Sequence, residues 1–280
     1  MRRTLVLAAC ALFVVPAVAQ AKKKRRSHAS SSVSGPPPNA RAVSELMGKY
    51  KWGMSPEDCL KVIYAEEHAR YADQIKKTED VYQQDLLRKA EQAIDDKIKG
   101  SFTKFDEKKT GWDTSIVANE FGHNNDESML VRWEKDQRRF LFFWHDRLYK
   151  QYIAFNAEHP VFAGKKFDDF AKLMENRYGP AQMKMKAMRT KDDVTLDHLE
   201  WPPSGDYTLW AIDQSSFYGN FSISLMQTSV YPLVDQSRKE HAGPVVHKDG
   251  FIDAVTAPDP NAAADPNADV VDQITGRRPK

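Results

Sequence analysis

The period of apolar positions changes several times along the chain, and each change marks an element. The run Trp52-Gly53-Met54-Ser55-Pro56-Glu57-Asp58 places a good N-cap, Ser55, before a proline at the first helical position. Glu57 and Asp58 then set negative charge on the positive helix end. Cys59, Val62 and Ile63 follow at helical spacing as a buried stripe. Few breakers interrupt the stretch to Lys99. Along it Tyr64, Tyr71, Ile75, Tyr82, Leu86 and Ala93 recur at intervals of seven and four, an a/d-like stripe on an otherwise charged segment. The pattern predicts helix over 55–99. A single helix from Ala65 to Lys99 would reach about 50 Å, so the segment folds back as a hairpin or projects as an arm, and the pattern allows both. The stripe either packs on the protein's own sheet or presents Tyr71, Ile75, Tyr82 and Leu86 as a partner-binding or self-associating helix face.

Further on the period shortens to two. Ser115–Phe121, Met129–Trp133, Phe140–Trp144 and Leu148–Phe155 are short aromatic and β-branched runs separated by turn clusters, which predicts a β-meander over 115–156. In the last run Tyr149, Gln151, Ile153 and Phe155 alternate with Lys150, Tyr152 and Ala154, as in a strand with one face covered. A helix returns over 165–177, with Phe167, Phe170, Leu173 and Met174 on one stripe and Gly179-Pro180 as its stop. Strand-like segments follow over 183–228, with a turn at Pro202–Asp206. This order predicts one α+β domain over 44–247, an antiparallel meander sheet packed by helices on one face.

The termini read differently. Met1-Arg2-Arg3, an apolar run from Leu5 to Ala19 and a small-residue site ending at Ala21 predict a signal peptide over 1–21. The apolar run is shorter than the ~20 residues of a membrane-spanning helix. Two rival readings stand beside it. Leu7-Ala8-Ala9-Cys10 resembles a lipoprotein cleavage box, and Lys22-Lys23-Lys24-Arg25-Arg26 would favour an uncleaved membrane anchor by the positive-inside rule. Residues 22–43 form a basic, then Ser- and Pro-rich linker with no apolar face, so disorder is expected, and the Lys22–Arg26 run suits contact with an anionic surface. Residues 248–280 form an acidic tail with a repeated Asp-Pro-Asn-Ala, also expected to be disordered.

Composition narrows the function. The 280 residues are 41% hydrophobic and 29% charged, with 41 basic against 39 acidic side chains and a net charge of +2. That balance argues against a general nucleic-acid binder, and two cysteines exclude a disulfide scaffold. Cleavage at Ala21 leaves Cys59 alone, either as a buried thiol or as an intermolecular disulfide partner. No nucleophile elbow, zincin, CxxC, Walker or dinucleotide motif occurs, and no cofactor is implied. His123 with Asp126 and Glu127, and His145 with Asp146, are the metal candidates, in turns that would share one end of the sheet. Asp168, Asp169, Asp192 and Asp193 are the carboxylates for glycoside chemistry, but sequence neighbours on a helix do not face each other. Asn220-Phe221-Ser222 is a glycosylation sequon if the source is eukaryotic.

Trp52-Gly53-Met54-Ser55-Pro56-Glu57, a hairpin around Phe142 to Tyr152, Arg177-Tyr178-Gly179-Pro180 and Leu199-Glu200-Trp201 before paired strands occur in that order over most of Tyr50 to Thr228. The succession resembles a family of uncharacterised bacterial exported or envelope-associated domains, which start with a WGxSxEE-type helix and carry a later YGxP stop. The resemblance implies export and a compact α+β domain, and carries over no catalytic residue. The expectation is a non-catalytic cell-envelope protein, periplasmic or secreted, that acts through protein or surface contacts. The alternatives are an envelope hydrolase with a His/Asp metal site in the turns and a small-ligand binder in an aromatic groove.

Overall fold

In a computed structural model the chain is described over residues 38–241, except 107, 186–187 and 190–193. The signal peptide, the basic run, the acidic tail and Asp192 and Asp193 lie outside the described residues. The elements, in order, are α1 (Ala40–Met47), α2 (Pro56–Lys77), α3 (Val81–Gly100), β1 (Thr103–Lys104), β2 (Glu127–Trp133), β3 (Gln137–Trp144), β4 (Arg147–Phe155) and α4 (Phe167–Tyr178). After these come β5 (Met183–Met185), β6 (Met188–Arg189), β7 (Val194–Thr195), β8 (His198–Glu200), β9 (Tyr207–Gln214), α5 (Ser215–Tyr218), β10 (Asn220–Gln227) and α6 (Tyr231–His241).

Among the described residues the strands form an eight-stranded sheet in the order β1-β2-β3-β4-β10-β9-β8-β5, with β6 and β7 as a separate pair. Every pairing is antiparallel. The fold is therefore the expected α+β antiparallel sheet with helices. Two meanders run toward each other from opposite edges, and β10 closes the sheet against β4 through pairs such as Ile223 with Ile153. One face packs Leu130, Leu141, Ile153, Leu209, Ile223 and Leu225 against α1, α4 and the buried Cys59, Ile63 and Ile98 of α2 and α3. The opposite face packs Met129, Val131, Phe140, Phe142 and Tyr152 against Ile116, Val117 and Phe121 of the β1–β2 connection and Val234 of α6.

Both faces are thus covered, which corrects the expectation for β4. All its residues after Arg147 are buried, those on the lysine side included, because the β1–β2 connection and α6 roof the face that alternation had assigned to solvent. Ser115–Phe121 is no strand. It follows a 3-10 turn at Gly111–Thr114 and bonds to itself, Ala118 N–H to the Ser115 carbonyl and Glu120 N–H to the Val117 carbonyl. Its apolar side chains are buried as expected, but the edge position beside β2 belongs to β1. The linker expected through residue 43 ends earlier, since α1 begins at Ala40 and buries Ala42 and Val43. The helical stretch is two helices, folded back at Thr78–Asp80. The segment after β10 also carries a helix, α6, that periodicity did not announce.

The residues behind the motif resemblance hold the sheet's periphery. Ser55 caps α2 by accepting from Asp58 N–H at 3.1 Å, and the Trp52 indole donates to the Asp206 carbonyl in the β8–β9 hairpin. Gly179, at φ 93°, ends α4, and its carbonyl accepts from the Trp201 indole at 2.8 Å.

Candidate functional site

The α2–α3 hairpin divides into an anchored base and a free end. At the base Arg132 of β2 donates to Glu66 at 2.5 Å and to the buried Glu67 at 2.9 Å. Ser101 Oγ accepts from Val131 N–H and donates its single proton to the Ile98 carbonyl at 2.6 Å, with the Val131 carbonyl at 3.1 Å, tying the end of α3 to the sheet. The turn is closed by local bonds. Thr78 Oγ1 donates to the Gln74 carbonyl, the Gln84 amide donates to the Thr78 carbonyl, and Asp80 caps α3. From Ala72 to Ala93 no residue is buried.

The break separates the four residues of the expected partner-binding face. Tyr71 is buried and Ile75 half-buried, so they serve the inner side of the hairpin. Tyr82 and Leu86 remain exposed, at 67% and 40%, with Val81 at 75% beside them. Along α3 the exposed Tyr82, Leu86, Ala90 and Ala93 follow one another at helical spacing, while Leu87, Glu91, Ile94 and Ile98 form a second, less exposed line. The latter line meets α2, where Glu91 pairs with His68 at 2.7 Å. The outer line is exposed at each of these four positions. Isolated exposed apolar side chains are ordinary; here they recur along one helix face.

The other concentration of chemistry is buried, under α6. Tyr149 is the extra residue of a bulge, because Phe142 pairs with Lys150 and Phe143 with Leu148. The bulge turns Tyr149 and Lys150 to the same face. Arg238 of α6 donates to both oxygens of Glu127, at 2.6 and 2.5 Å, and to the Glu120 carbonyl. Glu127 also accepts from Tyr149 Oη, Asn125 Nδ2 and Gly122 N–H. A Cβ on Gly122 would lie 2.9 Å from Arg238 Cγ, so only glycine lets the backbone pass this close. Lys150 Nζ donates to the carbonyl and carboxylate of Glu120 and sits 4.4 Å above the Phe142 ring. Burial pushes the Lys150 pKa down, opposed by Glu120, and pushes the Tyr149 phenol well up. With its oxygens so engaged, Glu127 is a fastening between α6 and the sheet, and has no free lone pair facing a ligand.

That arrangement removes Glu127 from the expected metal set. His123 uses both ring nitrogens locally, Nε2 with Asp113 and Nδ1 with the Asp106 carbonyl, each at 2.6 Å. His145 lies in the β3–β4 turn with φ 50°, beside Asp146 at φ 56°, and pairs with Asp126 at 3.2 Å. His145, Asp146 and Asp126 line an open polar cleft of about 580 Å³ that His123 does not reach. Among the described residues no three His, Cys, Asp or Glu side chains gather where they could hold a metal ion. Asp168 and Asp169 sit in the first turn of α4, where they complement the helix dipole. Cys59 is fully buried, and burial raises its thiol pKa to about 12, so it is inert.

Sequence reasoning passed over a second cleft, on the helix-covered face. It has a volume of about 420 Å³ and lies between α1, α4, the sheet and the β4–α4 connection. Phe155, Phe162, Leu173, Met174 and Ile223 supply apolar walls, and Glu45, His159 and Arg177 stand around them. His159 stacks on Phe162 at 4.4 Å, and its Nδ1 accepts from Val161 N–H. Burial lowers its pKa, so it is the neutral imidazole at pH 7. Those residues come from five elements or connections, and no spacing in the chain foretells their meeting. Sequence reasoning also missed His198. It is buried on β8 between the Leu196 carbonyl at 2.8 Å and Glu200 at 2.9 Å.

Comparison with known proteins finds no match: no family model, no curated protein and no solved structure is similar to this chain. The resemblance to exported domains therefore rests on the capping and stop motifs alone.

Proposed function

We propose that this protein is an exported, non-catalytic component of the cell envelope that acts by binding another protein through the outer face of α3. The observation that carries the reading is the exposed row at Val81, Tyr82 and Leu86 on a hairpin whose base alone is buried. The inner line of α3 packs on α2 and the core through Ile94 and Ile98, whereas its exposed outer row is covered only when a partner supplies a surface. Export is supported by the N-terminal sequence over 1–21, and the Lys22–Arg26 run supports a secondary contact with an anionic surface.

Size selects the kind of partner. The row from Tyr82 to Ala93 is about 18 Å long at 1.5 Å per residue. Laid flat against an identical row it would cover far less than the ~800 Å² per partner of a standard stable interface. A partner that receives the helix in a groove covers its flanks as well, and so is favoured over self-association.

The test places a photo-crosslinking residue at Gln83 in the native cell. A single envelope protein should be captured, the crosslink should vanish with Tyr82→Glu plus Leu86→Glu, and the circular dichroism and melting temperature of the purified variant should match the parent. The captured chain should begin at Lys22. Unchanged crosslinking in the double variant, or its global unfolding, would sink the interface. Retention of residues 1–21 in the membrane fraction would replace export by anchoring.

A further inference from the structure

We infer that the cleft between α1, α4 and the sheet binds a free single-chain amphiphile with an anionic head. This site is separate from the α3 face and does not depend on it. Its volume, about 420 Å³, falls within the ~300–1,000 Å³ of small-molecule sites, and its lining joins apolar walls to Glu45, Gln137, Arg139, His159 and Arg177. Phe155, Phe162, Leu173, Met174 and Ile223 come from the sheet, α4 and the β4–α4 connection, so the walls are built on packed elements. Val161, also lining the cleft, stays 48% exposed.

The head group follows from the charges. Arg139 faces the cleft but is spent on Glu134, the Leu46 carbonyl and Gln151. Arg177 is different. Its guanidinium lies over the Tyr178 ring, its side chain is 54% exposed, and its nearest carboxylate oxygen, on Glu45, is 3.6 Å away, beyond hydrogen-bond length. Glu45 bonds Arg41 instead, at 3.1 Å. His159 is neutral and adds no charge. The mouth thus holds one half-exposed guanidinium, loosely paired with Glu45 and in contact with the Tyr178 side chain, whose planar fork a carboxylate can meet bidentately by displacing the Glu45 contact. An alkyl chain would lie along the phenylalanine and leucine walls with the carboxylate at Arg177.

Titration calorimetry with decanoate, below its micellar concentration, against decanol and decylamine tests the assignment on the intact protein. Decanoate should bind, decylamine should not, and octanoate should bind about tenfold more weakly for its two lost methylenes. Arg177→Glu should weaken decanoate about tenfold or more and leave decanol unchanged, while Arg177→Lys restores part of the affinity. Because Arg177 is at the surface, these variants keep the fold. Leu173→Trp, which fills the cleft, should abolish binding of both decanoate and decanol. Absence of decanoate binding, equal binding of the three probes, or indifference to Arg177→Glu would overturn the proposal. Sedimentation with anionic phospholipid vesicles that requires Arg177 would equally overturn it, by making the site a bilayer contact.

Discussion

Replacing Arg238 should show how strongly the C-terminal helix is fastened. The guanidinium bridges 111 sequence positions to a Glu127 side chain that is 0% exposed, and is itself 17% exposed. Arg238→Met removes the charged partner and leaves the carboxylate buried with only Tyr149, Asn125 and Gly122 donating to it. Breaking one side of a buried pair costs about 3–5 kcal/mol. For a domain of this size each kcal/mol is worth roughly 2–4 °C, so the melting temperature should fall by roughly 6–20 °C. Glu127→Gln should do comparable harm from the other side. The decisive quantity is the cycle. The double variant should be less destabilised than the sum of the singles, by about 1–3 kcal/mol, since the second change no longer leaves a charge alone. Urea unfolding followed by tryptophan fluorescence measures all four proteins. The penalty should persist in 1 M salt, because the pair is shielded from mobile ions. Additive losses, or single losses below ~1 kcal/mol, would refute the fastening and leave α6 held by the packing of Tyr231 and Val234 and by the Ser237–Asn125 bond.

His198 supplies a pH test. Burial opposes its charging, but the bonds to Glu200 and the Leu196 carbonyl outweigh it and hold the pKa above the ordinary value. A raised folded pKa gives stability that is full below about pH 6.5 and is lost as pH rises through the folded pKa. Stability should therefore decline from pH 6 toward pH 9 in the parent and be flatter in His198→Gln, and identical profiles would show that the imidazolium is not held. Tyr71→Glu should cost about 2–4 kcal/mol, since it buries a carboxylate in the hairpin seam, while Tyr82→Glu should stay within about 0.5 kcal/mol in the same urea titration. The Cys59 thiol should resist a water-soluble disulfide reagent at pH 8 until denaturant is added, and rapid labelling of the native protein would contradict its burial. Gly122→Ala should lower stability in the parent and cost less when added to Arg238→Ala, which has already removed the close Cγ neighbour.

Much of the architecture was legible because it rests on local signals. Ser55-Pro56 started α2 and Gly179-Pro180 ended α4 where capping chemistry put them. The runs at Met129, Phe140, Leu148, Tyr207 and Phe221 became β2, β3, β4, β9 and β10 with ends displaced by a few residues. The misses have a common physical form. Ser115–Phe121 is apolar because Ile116, Val117 and Phe121 fill a core, and burial alone does not specify strand backbone. The α6 helix buries only Val234 through its apolar side, so no periodic stripe announced it. Pattern alone assigns Lys150 to an uncovered strand face and Glu127 to a metal set because their partners, Glu120 and Arg238, are 30 and 111 residues away.

The candidate interface shows where pattern reading stops. Seven residues in a continuous helix turn through about 700°, close to two full turns, so Ile75 and Tyr82 would share a face. Three non-helical residues, Thr78 to Asp80, destroy that phase relation. They carry no glycine or proline, and Asp80 becomes a cap only because the chain reverses there. Before the reversal the stripe belongs to the seam, where Tyr71 is buried. After it the same apolar spacing faces outward, where Tyr82 is exposed. The sequence pattern therefore identifies apolar rows correctly, but the turn decides which row the protein buries and which stays exposed. That makes the turn the place to perturb. Deleting Glu79 would shorten a three-residue reversal to two, breaking the Gln84–Thr78 closure and the Asp80 cap and shifting the outer row from its place. If the outer row is an interface, partner capture at Gln83 should be lost even though every apolar residue of the hairpin is still present.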